Sequence, residues 1–398
     1  MGERRVRRRR PVAFVAAATW LSVSLCASPA GASCVGDCGN DGAVTIEEIL
    51  TLVSIGLGTA AVTLCEAGDL NGDGQITVEE ILSAVADALA GCTPVSSEWV
   101  QVDPTIALQD IWGASLTDIY VVGAAGRVLH FDGNTWMPMQ SGTELTLLAV
   151  WGFAPDDVYA VGFNPQSFGN PAAQKGIILH YDGVAWSEVQ HGQTDTFFRD
   201  VWGSGPRDVF VVGGIEGFGT PGVILHFDGA NWTRQLLVND SQPHNQLRGV
   251  WGFAPDDVYA VGSGQAPIAG NPGMQALAFH YDGNAWLRSG AFNGVLNTVW
   301  GSAPNDVYAS GGPTGVAHFE GQQWSAVTTD QFVEGISMPI WGFGPQDIYF
   351  GLFHYDGANF VLTRDPESLL FDVAGLWGPP DGTVLYAAAR NGVWQLQR

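Results

Sequence analysis

Leu148-Ala149-Val150-Trp151-Gly152-Phe153-Ala154-Pro155-Asp156-Asp157-Val158-Tyr159-Ala160-Val161-Gly162, taken up again at Ile177-Ile178-Leu179-His180-Tyr181-Asp182-Gly183-Val184-Ala185-Trp186, is the stretch that decides the fold. An apolar strand ends at Trp-Gly, and Pro155-Asp156-Asp157 turns the chain into a second strand. Residues 177–181 form a third. Asp182-Gly183 then makes a tight hairpin, with glycine free to take positive φ, into a fourth strand over residues 185–189. Four short apolar-alternating strands in sequence read as one small antiparallel sheet.

The unit repeats. Trp-Gly occurs at Trp112, Trp151, Trp202, Trp251, Trp300, Trp341 and Trp377, with spacings of 39, 51, 49, 49, 41 and 36 residues. An Asp/Glu-Gly-x-x-aromatic turn follows six times, at Asp132, Asp182, Asp228, Asp282, Glu320 and Asp356. Four strands per repeat at this period are the signature of a propeller blade. The fold class is therefore mainly β, a seven-bladed β-propeller over residues 94–398. The last unit, residues 373–396, stops after three strands, whereas residues 98–102 form a lone strand ahead of the first unit. Pairing the two completes blade seven and leaves no open sheet edge.

These repeats resemble the Trp-Gly/Asp-Val-Tyr/His-Tyr-Asp-Gly propeller arrays of exported bacterial proteins, whose roles are unassigned. Their His-aromatic-Asp-Gly-x-x-Trp turn also resembles the Asp-box hairpin of sialidase-like propellers and kelch units. A sialidase needs clustered arginines for its carboxylate substrate. The propeller has eight arginines before Arg398, and the sequence places no cluster of them on one face.

A small module precedes the propeller, at residues 33–93. Asp69, Asn71, Asp73, Gln75, Thr77 and Glu80 fall at positions 1, 3, 5, 7, 9 and 12 of an EF-hand loop, with Gly74 at position 6. That spacing wraps oxygen donors around a hard cation, so calcium is the expected cofactor, with Gln75 giving its carbonyl and Glu80 both carboxylate oxygens. A second copy lies 32 residues earlier, with Asp37, Asp41, Ala43 (through its carbonyl), Thr45 and Glu48 as donors. Its position 3 is Gly39, which removes one ligand and predicts a weaker site. Apolar residues at helical spacing follow each loop: Ile49, Leu50, Val53 and Leu57, then Ile81, Leu82, Val85 and Leu89. Two such loop-helix units resemble dockerins, which implies a cohesin-like partner. The residues after each loop's ninth position are Ile46-Glu47 and Val78-Glu79, not the small hydroxyl pairs of cellulosomal members.

Arg4, Arg5 and Arg7 to Arg10, an apolar run over residues 12–25, and Ala30-Gly31-Ala32 read as a cleaved signal peptide, residues 1–32. The expectation is export to the periplasm, cell surface or medium, with no transmembrane segment after cleavage. Removing residues 1–32 leaves 10 Lys/Arg against 39 Asp/Glu, a net charge of −29. This excludes nucleic acid as a partner and disfavours anionic ones. Cys34, Cys38, Cys65 and Cys92 all lie in the small module, an even number consistent with two disulfides. Three pairings are open; Cys34–Cys65 with Cys38–Cys92 is the preferred one.

His130, His180, His226, His280, His318 and His354 recur once per blade in the third strand. A metal site needs ligands that converge, whereas these are distributed round a ring, so they read as structural. The Trp-Gly tryptophans read as inter-blade packing, and Asp118, Asp157, Asp208, Asp257, Asp306 and Asp347 as turn formers. No nucleophile elbow, phosphate loop or zinc motif occurs, and no catalytic residue is assigned. What breaks the repeat is a set of insertions in blades two, three and four, at residues 163–175, 215–222 and 263–275. Loops on a rigid scaffold are where binding usually resides. Asn164, Phe168, Asn170, Gln174, Phe218, Asn271 and Gln275 there suit a neutral polar partner, a glycan or a protein segment. The reading is an exported, calcium-binding, non-enzymatic interaction protein. The alternatives are a dockerin-tagged polysaccharide-active enzyme of glycoside hydrolase type, and a structural surface or matrix component.

Overall fold

The computed structural model describes residues 35–39, 43–69, 74–90, 99–164, 176–193, 195–215, 222–237, 246–265, 274–312, 315–327, 338–363 and 373–398. The segment read as a signal peptide lies outside them, as do Cys34 and Cys92. No helix among the described residues is long and apolar enough to cross a membrane.

Seven four-stranded antiparallel sheets make the propeller. In blade 3, strand a is Thr196–Gly205, b is Asp208–Ile215, c is Gly222–Phe227 and d is Trp232–Leu237. Blade 7 joins the two ends of the propeller sequence: Trp99–Asp103 pairs with Gly392–Gln397, Trp99 opposite Leu396 and Gln101 opposite Trp394. The seam is further tied by Ala107 N–H to the Arg390 carbonyl at 2.7 Å. Arg398 reaches back to blade 6, donating to the Tyr349 hydroxyl at 3.0 Å, pairing with Asp347 and lying 4.0 Å above the Phe343 ring.

The Trp-Gly pairs pack the blades in two ways, and the residue after each glycine decides which. Where it is small (Ala114, Ser204, Ser302, Pro379), the tryptophan fills the slot against the next blade. Trp112, Trp202, Trp300 and Trp377 are accordingly only 7, 4, 5 and 3 % exposed. A Cβ on Gly152 would lie 2.6 Å from the Trp112 ring, so only glycine admits that contact. Where the residue is Phe153, Phe253 or Phe343, the phenyl ring takes the slot instead; a Cβ on Gly203 would come within 2.6 Å of Phe153. The displaced tryptophans turn to the ring centre. Trp251 meets Trp151 at 5.6 Å and Trp341 at 6.2 Å between centroids, both edge-on at 86°. All seven tryptophans pack between blades as expected, but three of them do so at the ring centre, not in the slot against the next blade.

The small module has two helices, α1 (Ile46–Gly56) and α2 (Val78–Ala90). Leu52, Ile55, Ile76 and Ala84 form its core with Cys65. The expected apolar stripe is split: Leu50 and Leu57 are 59 and 74 % exposed, because a module this small has one buried seam and its helices are apolar on more than one side. The disulfide is Cys38–Cys65, 27 residues apart, which rules out both bridges preferred from the sequence. The loop folds back so that Gly36 N–H bonds the Ala67 carbonyl at 2.9 Å, bringing Cys38 rather than Cys34 to Cys65.

Candidate functional site

Along five of the seven strands a, a β-bulge precedes Trp-Gly. The register slips between Leu108 and Asp110, Leu147 and Ala149, Phe198 and Asp200, Leu247 and Gly249, and Val373 and Gly375. An extra residue in a strand is left out of the ladder and its side chain is re-aimed. Here the extra residues are Gln109, Leu148, Arg199, Arg248 and Ala374, and all five line one central cavity of about 390 Å³. Trp151 and Trp251, three positions after Leu148 and Arg248 on their strands, also line it together with Trp341, so the cavity is a cup with an aromatic floor. The start of strand a lies beside the end of strand b, Thr196 opposite Ile215 and Gln246 opposite Ser263. Arg199 and Arg248 therefore stand on the half of the channel nearer the face from which the blade 2–4 insertions leave.

The polar groups of the cup also clamp neighbouring blades. Asp110 accepts from Val150 N–H at 2.9 Å, and Asp200 from Val250 N–H at 2.8 Å and Val201 N–H at 2.9 Å. Burial pushes the Asp200 carboxyl up to about 7 against these hydrogen bonds. It holds Asp110 well above the carboxylate range too, and the charge of Asp200 adds to the effect. Arg248 donates to the Asn297 amide oxygen at 2.9 Å, while its Nε–H has no partner among the described residues. The indole N–H groups of Trp251 and Trp341 have none either, whereas Trp151 donates to the Gly203 carbonyl at 3.1 Å. Sequence reasoning found neither these convergent carboxyls nor the paired arginines. The signal was present as Arg three residues before Trp-Gly in two successive blades, but the bulge shifts the alternation that would have aimed it.

The six repeated histidines are structural. Each Nε2 sits 2.6–2.8 Å from the Oδ1 of the aspartate that opens strand b of the same blade, from His130–Asp118 to His354–Asp347. Each imidazole also stacks on the aromatic ring two residues after that aspartate, at 4.0–4.6 Å. The aspartates thus do more than form turns. The second set, Asp132 and its equivalents, does cap turns: Asp132 accepts from Asn134 and Thr135 N–H at 2.9 and 2.8 Å, with Gly133 at φ +90°.

Of the residues expected to bind at the insertions, Phe168, Asn170, Gln174, Phe218 and Asn271 lie outside the described residues. Asn164 is half-buried at the end of blade 2 strand b, and Gln275 accepts from Arg288 at 2.9 Å. In the small module, Asp41, Asn71 and Asp73 lie outside the described residues. Asp69 accepts from Gly74 N–H at 2.8 Å, with Gly74 at φ +79°. Thr77 caps α2 and is bonded to Glu80, whose side chain is 4 % exposed; Asp37 is 3 % exposed. Glu48 accepts from Thr45 N–H at 2.8 Å and from Gly39 N–H at 2.9 Å, which joins both ends of the first loop. Burial would raise the Glu48 carboxyl, but the hydrogen bonds from Thr45 and Gly39 outweigh it and hold it below its usual range. Ala43 and Gln75 are exposed. Among the described residues, no three His, Cys, Asp or Glu side chains form a group that could hold a metal.

No protein-family model and no curated protein matches the chain. Solved structures do. One of YCF48 bound to D1 peptide is 13 % identical over 75 % of this chain and 93 % of its own, at a TM-score of 0.53. YCF48 from Cyanidioschyzon merolae is 14 % identical over 75 % of this chain and 98 % of its own, at 0.51. At this identity the likeness is one of fold.

Proposed function

We propose that the chain is an exported, calcium-binding interaction protein, a rigid propeller that holds a protein partner and carries a calcium-stapled adaptor. The observation that carries this reading is the regular seven-bladed ring whose departures from repetition gather on one face. A propeller of similar fold, YCF48, has been solved bound to D1 peptide, which supports a protein segment over a glycan as the partner. The adaptor offers a second contact surface. Ile46 and Val78 are 74 and 66 % exposed, Leu50 and Leu82 59 and 61 %, and each pair is related by the 32-residue repeat. Apolar residues repeated this way on two helices suit a protein partner, cohesin-like on the dockerin resemblance.

The described donors fit a calcium loop. Glycine at position 6 has the required positive φ, the position-1 carboxylate is bonded to it, and the position-12 carboxylate is buried beside its cap. Asp69, Asn71, Asp73, Gln75, Thr77 and Glu80 would hold the stronger ion, and Asp37, Asp41, Ala43, Thr45 and Glu48 the weaker. Calcium there would tie each loop to the helix that follows. Asp110 and Asp200 favour the enzyme alternative least, since each accepts a backbone N–H of the next blade and so serves as an inter-blade clamp.

Two measurements test the reading. Calcium titration by calorimetry should show uptake, weakened more by Asp73→Ala or Glu80→Ala than by Asp41→Ala; no uptake, or equal effects, refutes the calcium assignment. Trimming the three insertions to the short turns of blades 1 and 5 should leave the melt unchanged and abolish capture of any partner recovered by the intact protein. Full-affinity capture by the trimmed protein would move the partner site elsewhere.

A further inference from the structure

We infer that the central cup is a binding site for a small ring-borne carboxylate, held by Arg199 and Arg248 at its wall with the ring against the Trp151–Trp251–Trp341 floor. This site is independent of the insertions and of the protein partner proposed above. Three observations carry it. First, the cup is built rather than left over: a bulge in each of five blades turns one residue into it, and in blades 3 and 4, which are adjacent, that residue is arginine. Second, a guanidinium is a planar fork matched to a carboxylate. Arg248 has one amide partner and no acidic partner among the described residues, and its Nε–H has no partner among them. Third, the floor is a cluster of indoles, two of which have buried N–H groups without partners among the described residues. Faces of this kind take sugar rings and aromatic rings alike. A cavity of about 390 Å³ is within the range that holds small ligands.

The charge of the whole chain, −24, argues against anions at its surface. Inside the cup the balance is reversed. The charged and titratable groups lining it are Arg199, Arg248, Asp110 and Asp200, and both carboxyls are held toward their neutral forms. The carboxylate therefore meets two cations in surroundings of low dielectric, where such contacts are stronger than in water.

The test uses the full chain and four probes: D-galacturonate and its neutral counterpart D-galactose, and benzoate with benzyl alcohol. Binding is read by calorimetry and by tryptophan fluorescence. One or both carboxylates should bind at one per chain and perturb the fluorescence, with the neutral counterparts at least tenfold weaker, the expected loss of a charge-assisted hydrogen bond. Galacturonate alone would identify a sugar acid, and benzoate alone an aromatic acid. Arg199→Gln and Arg248→Gln should each weaken the active probe about tenfold. Arg248→Lys, which keeps the charge and loses the fork, serves if loss of the Asn297 contact unfolds the first variant. No binding by either carboxylate, neutral counterparts equal to them, or wild-type affinity in both Gln variants would overturn the assignment.

Discussion

At the scale of single residues, the ring is tuned by a few side chains that the repeat does not share. Asp200 has the clearest consequence. Its folded carboxyl titrates at about 7, above the unfolded range, so between roughly pH 4 and 7 the native state binds the extra proton. Stability contributed by this group is complete at low pH and is lost as pH rises through 7. Melting temperatures followed from pH 5 to 8 should therefore fall more steeply in the wild type than in Asp200→Asn; parallel curves would show that Asp200 is ionised throughout. The same titration places a negative charge in the cup, so a bound carboxylate should weaken over this window. Gly152→Ala probes the packing instead. The new methyl would press on the Trp112 ring at 2.6 Å, and the expected loss on chemical denaturation is about 1–3 kcal/mol.

At the scale of elements, the alternation of Trp-Gly-Phe with Trp-Gly-small divides the seven strands a into two kinds. Phe253 fills the slot over Gly301 and so frees Trp251 to face the centre. Phe253→Ala should empty that slot and, the ring being partly buried, cost up to about 3 kcal/mol by urea denaturation. It should also change the fluorescence of the central tryptophans as Trp251 is released. A loss of stability with unaltered fluorescence would show that the two rings are independent. The bulges belong to this scale as well, since they alone convert Arg199 and Arg248 from alternating strand positions into cup residues.

At the scale of the whole molecule, the ring depends on a strand that precedes it in sequence. Trp99 is 4 % exposed, its indole donates to Thr363 Oγ1 of blade 6 at 3.0 Å, and its strand covers the outer edge of blade 7. Deleting residues 94–103 should lower the melting temperature by several degrees and drive self-association through the edge of Gly392–Gln397. A monomeric deletion variant with an unchanged melt, read by light scattering and calorimetry, would refute closure by this strand.

The sequence by itself determined the blade count, the four strands of each blade, the Asp-Gly hairpins and the pairing that closes the ring, because each rests on local turn chemistry repeated at a fixed period. It also placed the two helices correctly, though not which of their apolar residues are buried. What only the tertiary structure decided is whatever depends on convergence between repeats. The histidines meet the aspartates of the neighbouring strand, Cys38 rather than Cys34 meets Cys65, and three of seven identical Trp-Gly tryptophans meet at the axis. The cup is the extreme case. Arg199 and Arg248 are 49 residues apart in sequence, and a one-residue bulge in each strand is what turns both toward the same space. Periodicity predicts the face of a side chain only while the register is kept, and here the register breaks where the candidate site is formed.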